Sequence, residues 1–101
     1  MVEKVKKYIE QNYMKEISLG DMSEYVSISD YYLSRIFNNV EGINFRDYLI
    51  KVRMEKAKNI LKKGGKSIKE VSIEVGYSDQ NYFSNAFKKY THLSPKEYMD
   101  L

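Results

Sequence analysis

The sequence predicts an all-α fold of about seven helices, and three observations lead to it. Only one proline and five glycines interrupt 101 residues, so long uninterrupted helices are possible. Apolar residues recur at three- and four-residue spacing rather than in alternation. A unit of about fifty residues is written twice: Ser18, Leu19, Met22, Ser23 and Val26 return as Ser67, Ile68, Val71, Ser72 and Val75, and Ser29-Asp30 as Ser78-Asp79. After one inserted residue, Tyr32-Leu33-Ser34 and Phe37 return as Tyr82-Phe83-Ser84 and Phe87. The stretch Gly42 to Leu49 is matched by His92 to Met99.

The elements follow in chain order. Val2, Val5, Tyr8, Ile9 and Tyr13 give the opening segment one apolar helical face. Each repeat then supplies two short helices around a tight turn. Ser67-Ile-Lys-Glu70 has the capping-box pattern, and Ser18-Leu-Gly-Asp21 is a weaker version with aspartate at the third position. Ser27 and Gly76 stand at the end of the first helix of each pair. Gly76 readily takes the left-handed conformation that stops a helix, and Ser27 does so less easily. Ser29, and Ser78 or Asp79, can cap the next helix, with Asp30 also read as a cap. Leu33, Ile36 and Phe37, and Phe83, Ala86 and Phe87, give the second helices their buried stripes. From about Asn44 to Leu61 nothing breaks a helix, and two apolar seams run along it, Phe45/Leu49/Val52 and Ile50/Met54/Ala57/Leu61. Gly64-Gly65 ends that connector. Ser94-Pro95 starts a last short helix with proline at its favoured first position.

Two helices joined by so short a turn cross steeply, which is the helix-turn-helix arrangement. The expected organisation is a first homeodomain-like unit over residues 1–43, a connector helix over 44–62 and a second unit over 63–101. Charge is uneven. Residues 1–50 carry 6 basic and 8 acidic side chains, and residues 51–101 carry 11 and 6, within a net charge of +3. A basic half suits a polyanionic partner, although a solvated lysine-rich face looks the same in sequence. With no cysteine and one histidine, His92, no thiolate or multi-histidine metal site can form. No cofactor, metal or catalytic residue is expected. No apolar run suits a membrane span and no signal-peptide pattern opens the chain, so a cytoplasmic location is the expectation.

The run Val75-Gly76-Tyr77-Ser78-Asp79-Gln80-Asn81-Tyr82-Phe83-Ser84-Asn85-Ala86-Phe87-Lys88-Lys89, continued by Ser94-Pro95 and Tyr98, resembles the signature of AraC/XylS-type bacterial transcription regulators. So do Tyr32-Leu33-Ser34-Arg35, Phe37 and Gly42 in the first repeat, and Phe45, Tyr48-Leu49, Arg53, Ala57 and Leu61 in the connector. The likeness runs from Val5 to Met99. Three positions depart from the pattern. Asn85 and Met99 stand where arginine is frequent. His92 stands where glycine is usual, which demands a strained backbone or a different turn geometry.

The resemblance implies a sequence-specific DNA-binding domain whose second helices enter the major groove. A connector of about 18 residues spans about 27 Å against about 34 Å for one DNA turn. Two recognition helices are therefore expected to reach successive grooves, on two unlike half-sites in direct order. Tyr31, Ser34 and Arg35, and Gln80, Asn81 and Asn85, are the expected base contacts; arginine suits guanine, and the amides suit adenine. Asn38, Lys62, Lys63, Lys66, Lys69 and Lys88 are assigned to the phosphate backbone. The family implies regulation of transcription, more often activation, with RNA polymerase as a partner. It also implies an N-terminal sensor domain or a YesN-type receiver domain in a longer protein. A helical module that docks on RNA polymerase or another protein without reading DNA is the alternative.

Overall fold

The computed structural model describes residues 1–101 as seven α-helices: α1 (Val2–Asn12), α2 (Leu19–Tyr25), α3 (Asp30–Glu41), α4 (Phe45–Lys63), α5 (Ile68–Glu74), α6 (Gln80–Thr91) and α7 (Pro95–Met99). The chain divides into two compact units, Met1–Val52 and Arg53–Leu101. The division falls inside α4, so the connector is not a separate layer.

In the first unit Val2, Val5 and Ile9 of α1, Met22 of α2, Leu33 and Phe37 of α3, and Phe45, Tyr48 and Leu49 of α4 form one core. The Phe37 ring meets those of Phe45 and Tyr48 edge-on at 6.2 and 5.5 Å, a geometry aromatic quadrupoles favour. In the second unit Met54, Ala57 and Leu61 of α4 are buried with Val71, Val75, Tyr77, Phe83 and Phe87. Their 3,4 spacing repeats that of Val2, Val5 and Ile9. The C-terminal half of α4 is thus the second unit's counterpart of α1, just as α7 is the counterpart of its N-terminal half. Each unit is the same four-element assembly.

The turns repeat in detail. Ser27 donates its N–H to the Glu24 carbonyl (3.2 Å) and Ile28 to the Ser23 carbonyl (3.0 Å); Gly76 and Tyr77 do the same to Ile73 (3.1 Å) and Ser72 (2.9 Å). This bond pair is the Schellman stop, and it needs a left-handed residue after the helix. Ser27 takes that conformation at φ 58° and Gly76 at φ 106°. His92 also accepts the left-handed conformation, at φ 69°, and ends α6 as Gly42 ends α3.

The caps correct one expectation. Three capping boxes close fully, at Ser18/Asp21, Ser67/Glu70 and Ser94/Glu97. Asp30, read from sequence as a cap, is not one. Ser29 caps α3 by accepting from the Tyr32 N–H (3.1 Å), whereas Asp79 caps α6 by accepting from Asn81 (2.8 Å) and Tyr82 (3.2 Å). Ser29 therefore corresponds to Asp79, Asp30 corresponds to Gln80, and Ser78 is the inserted residue. Pairing the Ser29-Asp30 and Ser78-Asp79 dipeptides by sequence puts the insertion too late.

The boxes carry a pH consequence. Glu70 accepts from the Ser67 N–H at 2.8 Å, and that backbone bond, followed by the Ser67 side-chain bond, lowers its pKa from the ordinary carboxylate value of 4.5. A carboxyl depressed on folding contributes stability above its unfolded value, and loses it as pH falls through the folded one. Acidification below about pH 4.5 is expected to weaken the start of α5. Glu70→Gln keeps a hydrogen-bond acceptor but cannot titrate, so its melting temperature should fall less between pH 5 and pH 3 than that of the parent. Parallel pH profiles for the two proteins would refute this.

Candidate nucleic-acid interface

Both second helices of the repeats are held by one face and by their C-terminal ends. Leu33 and Phe37 of α3, and Phe83 and Phe87 of α6, have no exposure at all. At the end of α3, half-buried Glu41 pairs with Lys6 of α1 at 3.2 Å; the Glu41 hydrogen bond is the largest cause of a raised Lys6 pKa. At the end of α6, the Tyr90 hydroxyl donates to Glu55 of α4 at 2.8 Å. Desolvation first, and then the Glu55 carboxylate, push that phenol up to about 12. The N-terminal turns of both helices remain at the surface.

A buried serine sets the start of each helix differently. Ser72 donates to the Tyr77 carbonyl at 3.3 Å, a backbone contact across the turn. Ser23 donates instead to the Asp30 carboxylate, so the first residue of α3 is tied back to α2 through its side chain. That tie explains how an acidic residue sits at the first position of α3 without capping it.

Every side chain read from sequence as a nucleic-acid contact is exposed. Tyr31, Ser34, Arg35 and Asn38 follow one another at helical spacing along α3, opposite Leu33 and Phe37. The Arg35 guanidinium lies over the Tyr31 ring at 5.7 Å. Gln80 and Asn81 occupy the first turn of α6, and Asn85 and Lys88 follow Asn81 one and two turns on. Lys62 and Lys63 form the last turn of α4 and Lys69 lies on α5; the Lys62 ammonium is 5.9 Å from the Tyr98 ring. Lys66 is held by Glu74 at 2.5 Å and must leave that pair to reach a phosphate. Sequence reasoning passed over Tyr32, Tyr82 and Lys89, which are exposed on the flanks of the same two helices. No group of three or more His, Cys, Asp or Glu side chains able to hold a metal is found, and no helix is long and apolar enough to cross a membrane.

Two helix pairs, each closed by the same turn and each leaving one polar helix face at the surface, define a tandem helix-turn-helix domain. The model of the helix-turn-helix domain family matches residues 22–100. The C-terminal domain of AraT, a response regulator from Geobacillus stearothermophilus, is similar at 37% identity with a TM-score of 0.95, over 98% of this chain and 83% of that one. The C-terminal domain of the two-component response regulator YesN from Fusobacterium nucleatum is similar at 40% identity with a TM-score of 0.91, over 96% and 95%. The helix-turn-helix transcriptional regulator YijO of Escherichia coli K12 is 36% identical over 97% of this chain and 35% of its own length. The Msm operon regulatory protein of Streptococcus mutans is 34% identical over 96% of this chain and 35% of its own length. This chain belongs to the AraC-type helix-turn-helix DNA-binding domain family, a family of transcription regulators rather than enzymes. It spans about a third of the length of those two regulators.

Proposed function

We propose that this chain binds double-stranded DNA in a sequence-specific manner, with α3 and α6 entering successive major grooves, and that it activates bacterial transcription. The observation that carries the reading is the repeated burial pattern: each of these helices sinks one apolar stripe and leaves a polar face of amide, hydroxyl and guanidinium groups in solvent. Those groups match the donor and acceptor edges of base pairs. The tandem order of the repeats favours two unlike half-sites in direct orientation. The DNA-binding domain of AdpA, solved in complex with a target DNA, has the same fold at a TM-score of 0.92 and 18% identity, which supports the fold's fitness for that task.

Tyr31, Ser34 and Arg35 read the first half-site, and Gln80, Asn81 and Asn85 the second. Asn38, Lys62, Lys63, Lys66, Lys69 and Lys88 hold the backbone. Arg35 pairs with guanine through two parallel bonds, and its stacking on Tyr31 limits the freedom it must lose on binding. The chain acts as the output part of a longer regulator carrying a sensor or receiver domain, and RNA polymerase is the partner through which it activates.

The test starts with selection of bound sequences from randomised duplexes. Arg35→Ala is expected to cost about 1–3 kcal/mol on the selected duplex and to relax preference at one base pair. Lys63→Ala is expected to weaken all sequences similarly, with a salt dependence shallower by about one counterion. Failure to enrich any sequence, or equal losses for both variants on every duplex, sinks the reading.

A further inference from the structure

The two repeats carry an internal comparison. If they read different half-sites, the residues that meet bases should differ between copies, and those that meet the uniform sugar-phosphate backbone can stay the same. Along α3 and α6, six positions are exposed in both copies. Five of them differ: Asp30 and Gln80, Tyr31 and Asn81, Arg35 and Asn85, Asn38 and Lys88, Asn39 and Lys89. One is identical, Tyr32 and Tyr82, and these two rings are 50% and 57% exposed.

We infer that Tyr32 and Tyr82 are a matched pair of phosphate-binding residues, each donating its phenolic hydroxyl to the DNA backbone beside the groove its helix enters. The inference rests on the DNA-binding reading above. Each tyrosine is the third residue of its helix. Each follows its neighbour at position 31 or 81 by about 100° around the helix axis, which puts it on the flank of the polar face rather than at its centre. A groove wall is made of phosphates, so a flank residue in the first turn meets backbone oxygens before base edges. The backbone at this position is fixed by the caps, through the Tyr32 N–H to Ser29 and the Tyr82 N–H to Asp79. Tyr82 is further steadied by its ring, 5.9 Å from that of Tyr77. Among the positions exposed in both copies this aromatic is the one that is kept; the adjacent Ser34 also returns, as half-buried Ser84, and the ring contact to Tyr77 leaves Tyr82 more than half exposed.

A neutral hydroxyl differs from a lysine in one measurable way. It adds a hydrogen bond without displacing a condensed cation, so it adds affinity without adding salt dependence. The experiment compares the parent chain, Tyr32→Phe, Tyr82→Phe and the double variant on a duplex selected from random sequence and on a scrambled duplex, at several salt concentrations. Each exchange removes one oxygen and keeps the ring, and an unchanged melting temperature verifies the fold. Each single variant is expected to bind about two- to tenfold more weakly, by the same factor on both duplexes, with the slope of log affinity against log salt unchanged. Binding by both variants equal to that of the parent overturns the inference while leaving the DNA reading intact. A loss confined to the selected duplex overturns it too, by making the tyrosines base readers. A parent chain that binds neither duplex removes the DNA reading and this inference with it.

Discussion

Replacing Phe83 with alanine is expected to destabilise the second unit by about 3–5 kcal/mol, the usual cost of deleting a fully buried phenyl ring. Phe83 has no exposed surface. Its ring centre lies 5.7 Å from that of Tyr77 and 5.8 Å from that of Phe87, so its removal leaves a void at the middle of a row of rings. The neighbouring rings cannot collapse into the void without leaving their own contacts. Against a total stability of about 5–15 kcal/mol for a domain, that is a large fraction. Urea unfolding followed by circular dichroism should show the midpoint falling, and the melting temperature should drop by more than about 12 °C. A change of less than about 1 kcal/mol would mean that Phe83 is not a core residue.

The second large effect is at the turn. Gly76→Ala is expected to cost about 2–3 kcal/mol, from two sources. At φ 106° the backbone lies in a region that residues with a Cβ enter only under strain. A Cβ there would also stand 3.1 Å from three atoms of the Arg53 guanidinium. Arg53 lies over the Tyr77 ring at 5.2 Å, so moving it disturbs a second contact. The equivalent residue of the first unit makes an informative contrast. Ser27 occupies the left-handed region at φ 58°, and Ser27→Gly is expected to raise stability by about 0.5 kcal/mol. Relief of left-handed strain there outweighs the greater freedom of glycine in the unfolded chain. Opposite signs for the two exchanges in denaturant titrations would support this account of the turns. A harmless Gly76→Ala would refute it.

Much of the architecture was legible because the repeat encodes the same physics twice. The apolar spacing of Leu33 and Phe37 returns in Phe83 and Phe87, serine caps with an acid three residues on mark the starts of α2 and α5, and Ser94-Pro95 marks that of α7. What escaped was decided by three-dimensional neighbours. The matching spacing of Val2, Val5, Ile9 and Met54, Ala57, Leu61 is in the sequence, but α4 reads as one connector because no glycine or proline marks where one unit passes into the next. The role of Asp30 depends on Ser23 seven residues earlier, a pairing that local capping rules do not contain. The exposed faces of α3 and α6 were legible as faces, since anything off the apolar stripe is solvated. Which of their residues flank the polar strip and which occupy its centre emerged only after the insertion was placed at Ser78 and the two helices were aligned position by position.

That alignment gives the Ser23–Asp30 bond an implication for redesign. On the proposed DNA reading, the exposed glutamine that opens α6 can be exchanged for another reading group, whereas the aspartate that opens α3 is bonded to Ser23 of α2. If the two units read DNA as proposed, retargeting the first has one adjustable letter fewer than retargeting the second, and a library that randomises both helices alike is expected to spend part of its diversity on variants of Asp30 that lose the bond to Ser23.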